Sequence, residues 1–519
     1  MYRKYERLAA GVLFTILIIS LLPVMYLGRY NNPTGDDYYY GVETHLTWKE
    51  TASISRTVGE ALKGVAYDYE TWQGTYSAML LMRLAPNVFS EAAYKWVTCI
   101  LLLLLTGGIF FLLKPVVCNV LQGSRSLWVI VASLFTFLCI QTVPNQSETF
   151  FWYNGSMYYT GYFAVSLFLF GVVIRYLLKP RGYYVPMLVI LAIFLAGGNY
   201  VSLLPTLLLL LCLTVLLFWR KKRPQAVVMG ITTLLLLTGL VISALAPGNS
   251  VRQSDMWRIP AWKAILKALL QGIRYTWAWM RGWWLLAALL LTPFFWQNVK
   301  KTIWRFRYPL IVIGFVYGIF CSMSCPTFYT MNSTGPARAV AIVYYSFILA
   351  TFFCYYYLLG WIYQRFAARR ALKKEPGAPE QLGQGKEAEC GESRETKHGE
   401  DRKPESAGIK RRAYVTGVSL IAALLIIALG ITGELASCTT IKAIKVLATG
   451  EAKAYELEYR ERLRLLEDEN VTDIVLKPFI YKPDMLYVGD LSADSEEPTN
   501  QKVAQYFGKN SVAVGVVNE

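Results

Sequence analysis

The chain has 519 residues, of which 55% are hydrophobic and 14% aromatic, with a mean hydropathy of +0.36. That composition excludes an ordinary soluble enzyme and places the chain in the membrane class. A formal charge of +17 would direct a soluble protein toward nucleic acid, but here the Lys and Arg residues stand in short clusters between apolar runs, as topology signals do, so no nucleic-acid partner is expected.

A helix that crosses the hydrocarbon core needs about 20 mostly apolar residues, and roughly eleven segments approach that length. They cover 8–27, 96–113, 127–143, 158–174, 184–196, 201–219, 226–245, 283–295, 308–323, 339–363 and 413–429. The first has a basic start (Arg3, Lys4, Arg7) and no small-residue cleavage site before Tyr30. It reads as an uncleaved signal anchor with a cytoplasmic N-terminus. Thereafter every second connection carries a basic cluster: Lys114 with Arg125, Arg175 with Lys179 and Arg181, Arg220 through Arg223, Lys300 through Arg307, and Arg365 with Arg369 and Arg370. This alternation sets the orientation of an all-α polytopic protein in the plasma membrane.

The reading divides the chain into a multi-helix membrane domain over 1–363, a disordered cytoplasmic linker over 364–412, a last membrane helix over 413–433 and an extracytoplasmic module over 434–519. The linker is rich in Gly, Glu, Lys and Pro without apolar periodicity. In the module, 451–469 carries opposite charges at helical spacing and 473–481 alternates like a strand, so a small α/β unit is expected.

Candidate chemistry gathers in the connections assigned to the outside. The first holds Asp36 and Asp37 in the run Asn31 to Tyr40, just beyond the first helix. Adjacent carboxylates raise each other's pKa, and a partly dry membrane edge raises it further, toward the range of a general base. The same run also fits a solvated turn. Tyr38, Glu70, Trp72 and Arg83 follow, then Glu148, Trp152, Tyr153 and Asn154 in the second outer connection. Aromatic rings stack on sugar C–H faces while acids and amides read hydroxyls, although an interfacial aromatic belt accounts for single Trp and Tyr residues equally well. Asn199, Asn249, Arg252 and Arg338 complete the set, the two arginines being cations on the side where the topology rule expects few.

From 260 to 281, Lys263, Lys267, Arg274 and Arg281 share one helical sector, the pattern of an amphipathic helix in the outer interface. Four Asn-x-Ser/Thr sequons, at Asn145, Asn154, Asn332 and Asn470, also fall on the outer side. Nine scattered cysteines and two histidines, His45 and His398, leave little for a zinc site, and no phosphate-binding glycine loop is present, so no nucleotide is expected.

An acidic pair after the first membrane helix, a long first outer loop, many apolar helices and an outer C-terminal module together resemble the GT-C superfamily of membrane glycosyltransferases. The resemblance implies inverting transfer of a sugar from a polyprenyl-phosphate donor to a glycan or other envelope acceptor. Asp36 or Asp37 is then the base, with Arg252, Arg338 or the basic stripe stabilising the leaving phosphate. Some relatives hold a divalent metal at the acidic pair, a point the sequence leaves open. A transporter or flippase of lipid-linked saccharides, or a noncatalytic envelope-assembly protein, is the alternative expectation.

Overall fold

The computed structural model describes residues 2–254, 256–372 and 424–515, which are overwhelmingly helical. Helix α1 (Tyr2–Leu27) is followed by four helices that fill the first connection: α2 (Gly35–Thr51), α3 (Ile54–Thr71), α4 (Tyr76–Arg83) and α5 (Pro86–Phe89). The bundle continues through α6 (Val97–Pro115), α7 (Arg125–Gln141), α8 (Tyr153–Ser156), α9 (Tyr162–Leu178), α10 (Tyr184–Ala196), α11 (Tyr200–Trp219) and α12 (Arg223–Ala244). Then come α13 (Gly248–Ser254), α14 (Ala261–Trp279), α15 (Gly282–Val299), α16 (Pro309–Ser322), α17 (Cys325–Met331) and the longest helix, α18 (Ala337–Leu372).

Among the described residues, seven helical stretches are long and apolar enough to cross a membrane, and α14 with α15, bent by 72°, forms an eighth if taken as one span. The remaining expected segments differ for physical reasons. With 17 and 13 residues, α7 and α10 are shorter than that length. At 1.5 Å per residue they reach about 26 and 20 Å against a hydrocarbon core of about 30 Å. Most of 413–429 lies outside the described residues. Residues 364–372, expected as linker, are the last turns of α18, while 373–412 lie outside the described residues.

Helix α14 behaves as its amphipathic pattern requires. Ala264, Ala268 and Gly272 face inward, whereas Ile265, Leu266, Leu270 and Ile273 are exposed. Lys267 donates to the Asn332 side chain at 2.5 Å. Cys321 and Cys325, one helical turn apart, are both free thiols.

The C-terminal residues form α19 (Thr439–Ala448), α20 (Glu451–Glu467), β1 (Asp473–Leu476), α21 (Pro498–Phe507) and β2 (Ser511–Val514). The two strands pair in parallel, Asp473 opposite Ser511 and Leu476 opposite Val514. The strand expected over 473–481 is thus only four residues long, and beyond it Arg462 clamps the chain through a bidentate pair with Asp490 at 2.7 and 2.8 Å. Helix α19 is tied to the bundle by bonds from Thr439 Oγ1 to the Ile140 carbonyl and from Thr440 N to Gln141 Oε1, at 2.5 and 2.9 Å. Helix α21 packs on α2: the His45 and Tyr506 rings stack at 3.9 Å, and the Tyr506 hydroxyl donates to the Asn87 carbonyl at 2.9 Å. The first connection therefore lies between the bundle and the C-terminal residues, and it carries the acidic pair.

Candidate functional site

Helix α2 starts where Thr34, in extended conformation, caps its N-terminus. The Thr34 backbone N–H and hydroxyl both donate to Asp37 Oδ2, at 2.9 and 3.2 Å, which closes a capping box between the two residues. Successive side chains on a helix diverge by about 100°. That divergence separates the two aspartates. Asp37 turns inward and is fully buried, receiving the Tyr94 hydroxyl at 2.7 Å and the Asn154 backbone N–H at 3.4 Å. Burial pushes its carboxyl up to about 7, partly opposed by the bonds from Thr34 and Tyr94. Asp36 keeps an accessible side chain, yet the surrounding protein removes enough water to raise its pKa. The Arg338 guanidinium opposes that rise and Glu497 adds to it.

Arg338, the second residue of α18, donates to Glu148 Oε2 at 2.7 Å and lies over the rings of Trp152 at 4.8 Å and Tyr159 at 5.8 Å. Gly155 permits this approach, since a Cβ there would lie 2.5 Å from the Trp152 ring and 3.1 Å from Arg338 Cδ. Arg252, on α13, bonds the buried Gln73 side chain and lies over Trp72 at 5.5 Å. Both guanidiniums act electrostatically on Tyr158 and Tyr159, and Arg252 and Asp36 both act on Tyr40. Stretches around 36, 148–159, 252 and 338, far apart in sequence, thus meet at one end of the bundle. Beside them, Trp152 Nε1 and both amide atoms of Asn154 are buried without a protein hydrogen-bond partner, a costly state for polar groups.

Other expected site residues have structural tasks. Tyr38 is buried under Tyr506 and Phe507, and its hydroxyl meets Tyr459 at 2.5 Å and Glu91 at 3.2 Å, so it docks the C-terminal residues rather than facing a ligand. Arg83 is locked in a bidentate pair with Asp68 at 2.7 and 2.9 Å and touches Glu43 at 3.3 Å; a side chain at Gly64 would collide with its guanidinium. The Tyr153 hydroxyl is spent on the Leu81 carbonyl at 3.1 Å. Asn199 caps α11 by accepting from Ser202 N at 2.8 Å and also donates to the Tyr158 carbonyl at 2.6 Å. Asn249 fastens the end of α12 through the Ser243 carbonyl at 2.7 Å. Glu70 is exposed on α3, and among the described residues no hydrogen bond or ion pair joins it to Asp36. Asn154 is buried, so its sequon is inaccessible in this fold.

A divalent ion shared by the acidic pair does not fit this arrangement. Asp37 oxygens are occupied by N–H and O–H donors, and a guanidinium rather than a third acid stands near Asp36. Among the described residues no group of three or more His, Cys, Asp or Glu side chains is placed to hold a metal.

Sequence reasoning missed Tyr40, Tyr94 and Glu497. The first two lie in an aromatic-rich background that hides them, and Glu497 sits 461 residues from the aspartate it influences. Asp37 carried a usable signal: Thr34-Gly-Asp-Asp37 has capping-box spacing. No protein-family model, curated protein or solved structure matches the chain.

Proposed function

We propose that the protein is a membrane glycosyltransferase that moves a sugar from a polyprenyl-phosphate donor to an extracytoplasmic acceptor with inversion at the anomeric carbon. One observation carries this reading: Asp36 is an accessible carboxylate with a raised pKa, within electrostatic reach of Arg338, at the meeting point of four distant stretches. A carboxylate whose pKa is raised above the ordinary aspartate value is a stronger base than a free one, as proton removal from an acceptor hydroxyl requires.

In the proposed reaction Asp36 takes the proton of the acceptor hydroxyl. The hydroxyl oxygen bonds to the anomeric carbon as the bond from that carbon to the phosphate oxygen breaks. The lipid phosphate leaves with the electron pair, and Arg338 and Arg252 stabilise its charge. The Trp152 and Tyr159 rings under Arg338 form the aromatic wall beside this site. Asp37 takes no proton from substrate in this scheme; it fixes the helix end that presents Asp36.

The orientation belongs to the same proposal. Counting α7, α10, the α14–α15 pair and 413–429 as crossings gives about eleven spans, and the basic clusters then place the N-terminus in the cytoplasm, with Asp36 and the C-terminal α/β module outside the plasma membrane. The test is transfer of labelled sugar from polyprenyl-phosphate donors by the purified protein. Asp36→Asn is expected to abolish transfer. Wild-type turnover by that variant overturns the proposal, and movement of intact lipid-linked sugar without bond formation supports a flippase.

A further inference from the structure

At the end of the bundle opposite Asp36 lies a cavity of about 770 Å³, bounded by the loop before α16, the start of α16 and the last turns of α18. Helix α18 itself establishes the separation. Arg338 is its second residue and Arg365 lies 27 positions further on. That is about 40 Å at 1.5 Å per residue, close to the full thickness of a bilayer with both headgroup zones. When Arg338 sits at one interface, Arg365 sits at the other.

The cavity walls are chemically divided. Leu310, Ile311 and Leu358 are exposed apolar side chains on the lipid-facing side, while Arg307 and Arg365 supply two cations. Neither guanidinium has an ion-pair partner among the described residues. Arg365 lies over the Trp361 ring at 5.5 Å. The backbone of the loop carrying Arg307 is held by hydrogen bonds. Gln364 accepts from Phe306 N at 3.0 Å and donates to the Trp304 carbonyl at 2.7 Å; the Tyr357 hydroxyl donates to the Arg307 carbonyl at 2.5 Å. The buried Phe306 ring fills the notch at Gly360, where any side chain would collide with it. The backbone that carries Arg307 is therefore held against the last turns of α18, which carry Arg365, and both cations line the same cavity.

We propose that this cavity is a binding site for an anionic membrane phospholipid, with the phosphodiester held between Arg307 and Arg365 and the acyl chains laid along Leu310, Ile311 and Leu358. Guanidinium forks match phosphate oxygens, and a headgroup with its own cation would stand against two like charges. The apolar half of the cavity requires the lipid tail as well as the anion. This site is independent of the sugar-transfer reading, because it lies at the other membrane face and its readout is lipid retention.

The experiment uses the full chain in neutral detergent, with native mass spectrometry and thermal unfolding in the presence of phosphatidylglycerol, phosphatidylcholine or soluble glycerol phosphate. Phosphatidylglycerol is expected to remain bound and to raise the Tm by a few degrees, with neither effect from the other two. Arg307→Gln/Arg365→Gln should abolish that increment, Arg365→Gln alone should reduce it, and Lys221→Gln/Lys222→Gln, which removes equal charge elsewhere, should keep it. Equal stabilisation by phosphatidylcholine reduces the cavity to an apolar groove and overturns the proposal. Equal stabilisation by glycerol phosphate makes it a free-anion site, with the same result. Retention of the phosphatidylglycerol effect in both arginine variants rejects the assigned residues.

Discussion

Arg338 and Glu148 meet at 2.7 Å across 190 positions of sequence, both only partly exposed. Such a pair contributes about 0–1 kcal/mol to stability, so Arg338→Gln should fold and insert normally. Its loss from the proposed leaving-group site is expected to slow transfer by about 100- to 1000-fold, the range for removing one preorganised charge stabiliser. Arg338→Lys should restore only part of the rate, since an ammonium lacks the planar fork. Single-turnover transfer with a saturating lipid donor measures this; equal rates for wild type and Arg338→Gln remove Arg338 from the chemistry.

The aspartates should separate cleanly by phenotype. Asp36→Asn is expected to eliminate transfer while leaving the unfolding midpoint unchanged, because its side chain makes no hydrogen bond among the described residues. Asp37→Ala deletes the capping box and leaves the Tyr94 hydroxyl and Thr34 N–H without their acceptor. Loss of stability of roughly 2–4 kcal/mol follows from a lost cap plus unsatisfied buried donors. Unfolding in mixed detergent micelles, measured beside activity, distinguishes the two.

Asp37 also dictates a pH dependence of stability. Its carboxyl sits at about 7 in the fold against an ordinary 3.8, so between those values the folded state holds more protons than the unfolded one. This contribution therefore falls as pH rises from about 4 to about 7 and is level outside that window. Asp37→Asn, which cannot ionise, should flatten this part of the profile. Parallel slopes for both proteins in thermal scans across that range would show that Asp37 is not the titrating group.

Glu497 and Arg338 pull the Asp36 carboxyl in opposite directions. A base must be deprotonated to work, so the acid limb of the kcat/KM profile should lie above the ordinary aspartate range. Glu497→Gln should move that limb down and Arg338→Gln should move it up. The Gln variant retains an acceptor for the Thr499 and Asn500 N–H groups that Glu497 caps at 2.8 and 3.2 Å, so α21 survives the change. Identical limbs in wild type and both variants would place the titration elsewhere.

Seven of the expected apolar spans, or eight with the bent α14–α15 pair, were legible because lipid imposes length and composition on any helix that crosses it. So was α20, expected over 451–469 and found over Glu451–Glu467. The first connection was not legible as helix: α2 is a polar, Gly- and Tyr-containing run with no apolar stripe, stabilised by contacts with α21 rather than by its own pattern. The same cause misplaced Tyr38, whose role depends on Tyr459, and Arg83, which is taken by Asp68. Arg252 and Arg338 were visible because their connections, assigned to the outer side from sequence, fall where the rule of charge distribution expects few cations. What they would meet depended on tertiary packing and could not be read from spacing.

The hydroxyls of Tyr38 and Tyr459 touch although 421 residues separate them, and Tyr506 reaches back still further to His45. A ribosome adding about 5–20 residues per second needs roughly 20–90 s to make the partners that α2 awaits. Throughout that interval the α2 side chains that Tyr459 and Tyr506 cover lack those partners. Chains stopped before residue 459 will therefore carry every segment of the early bundle yet lack the platform on which Asp36 is presented.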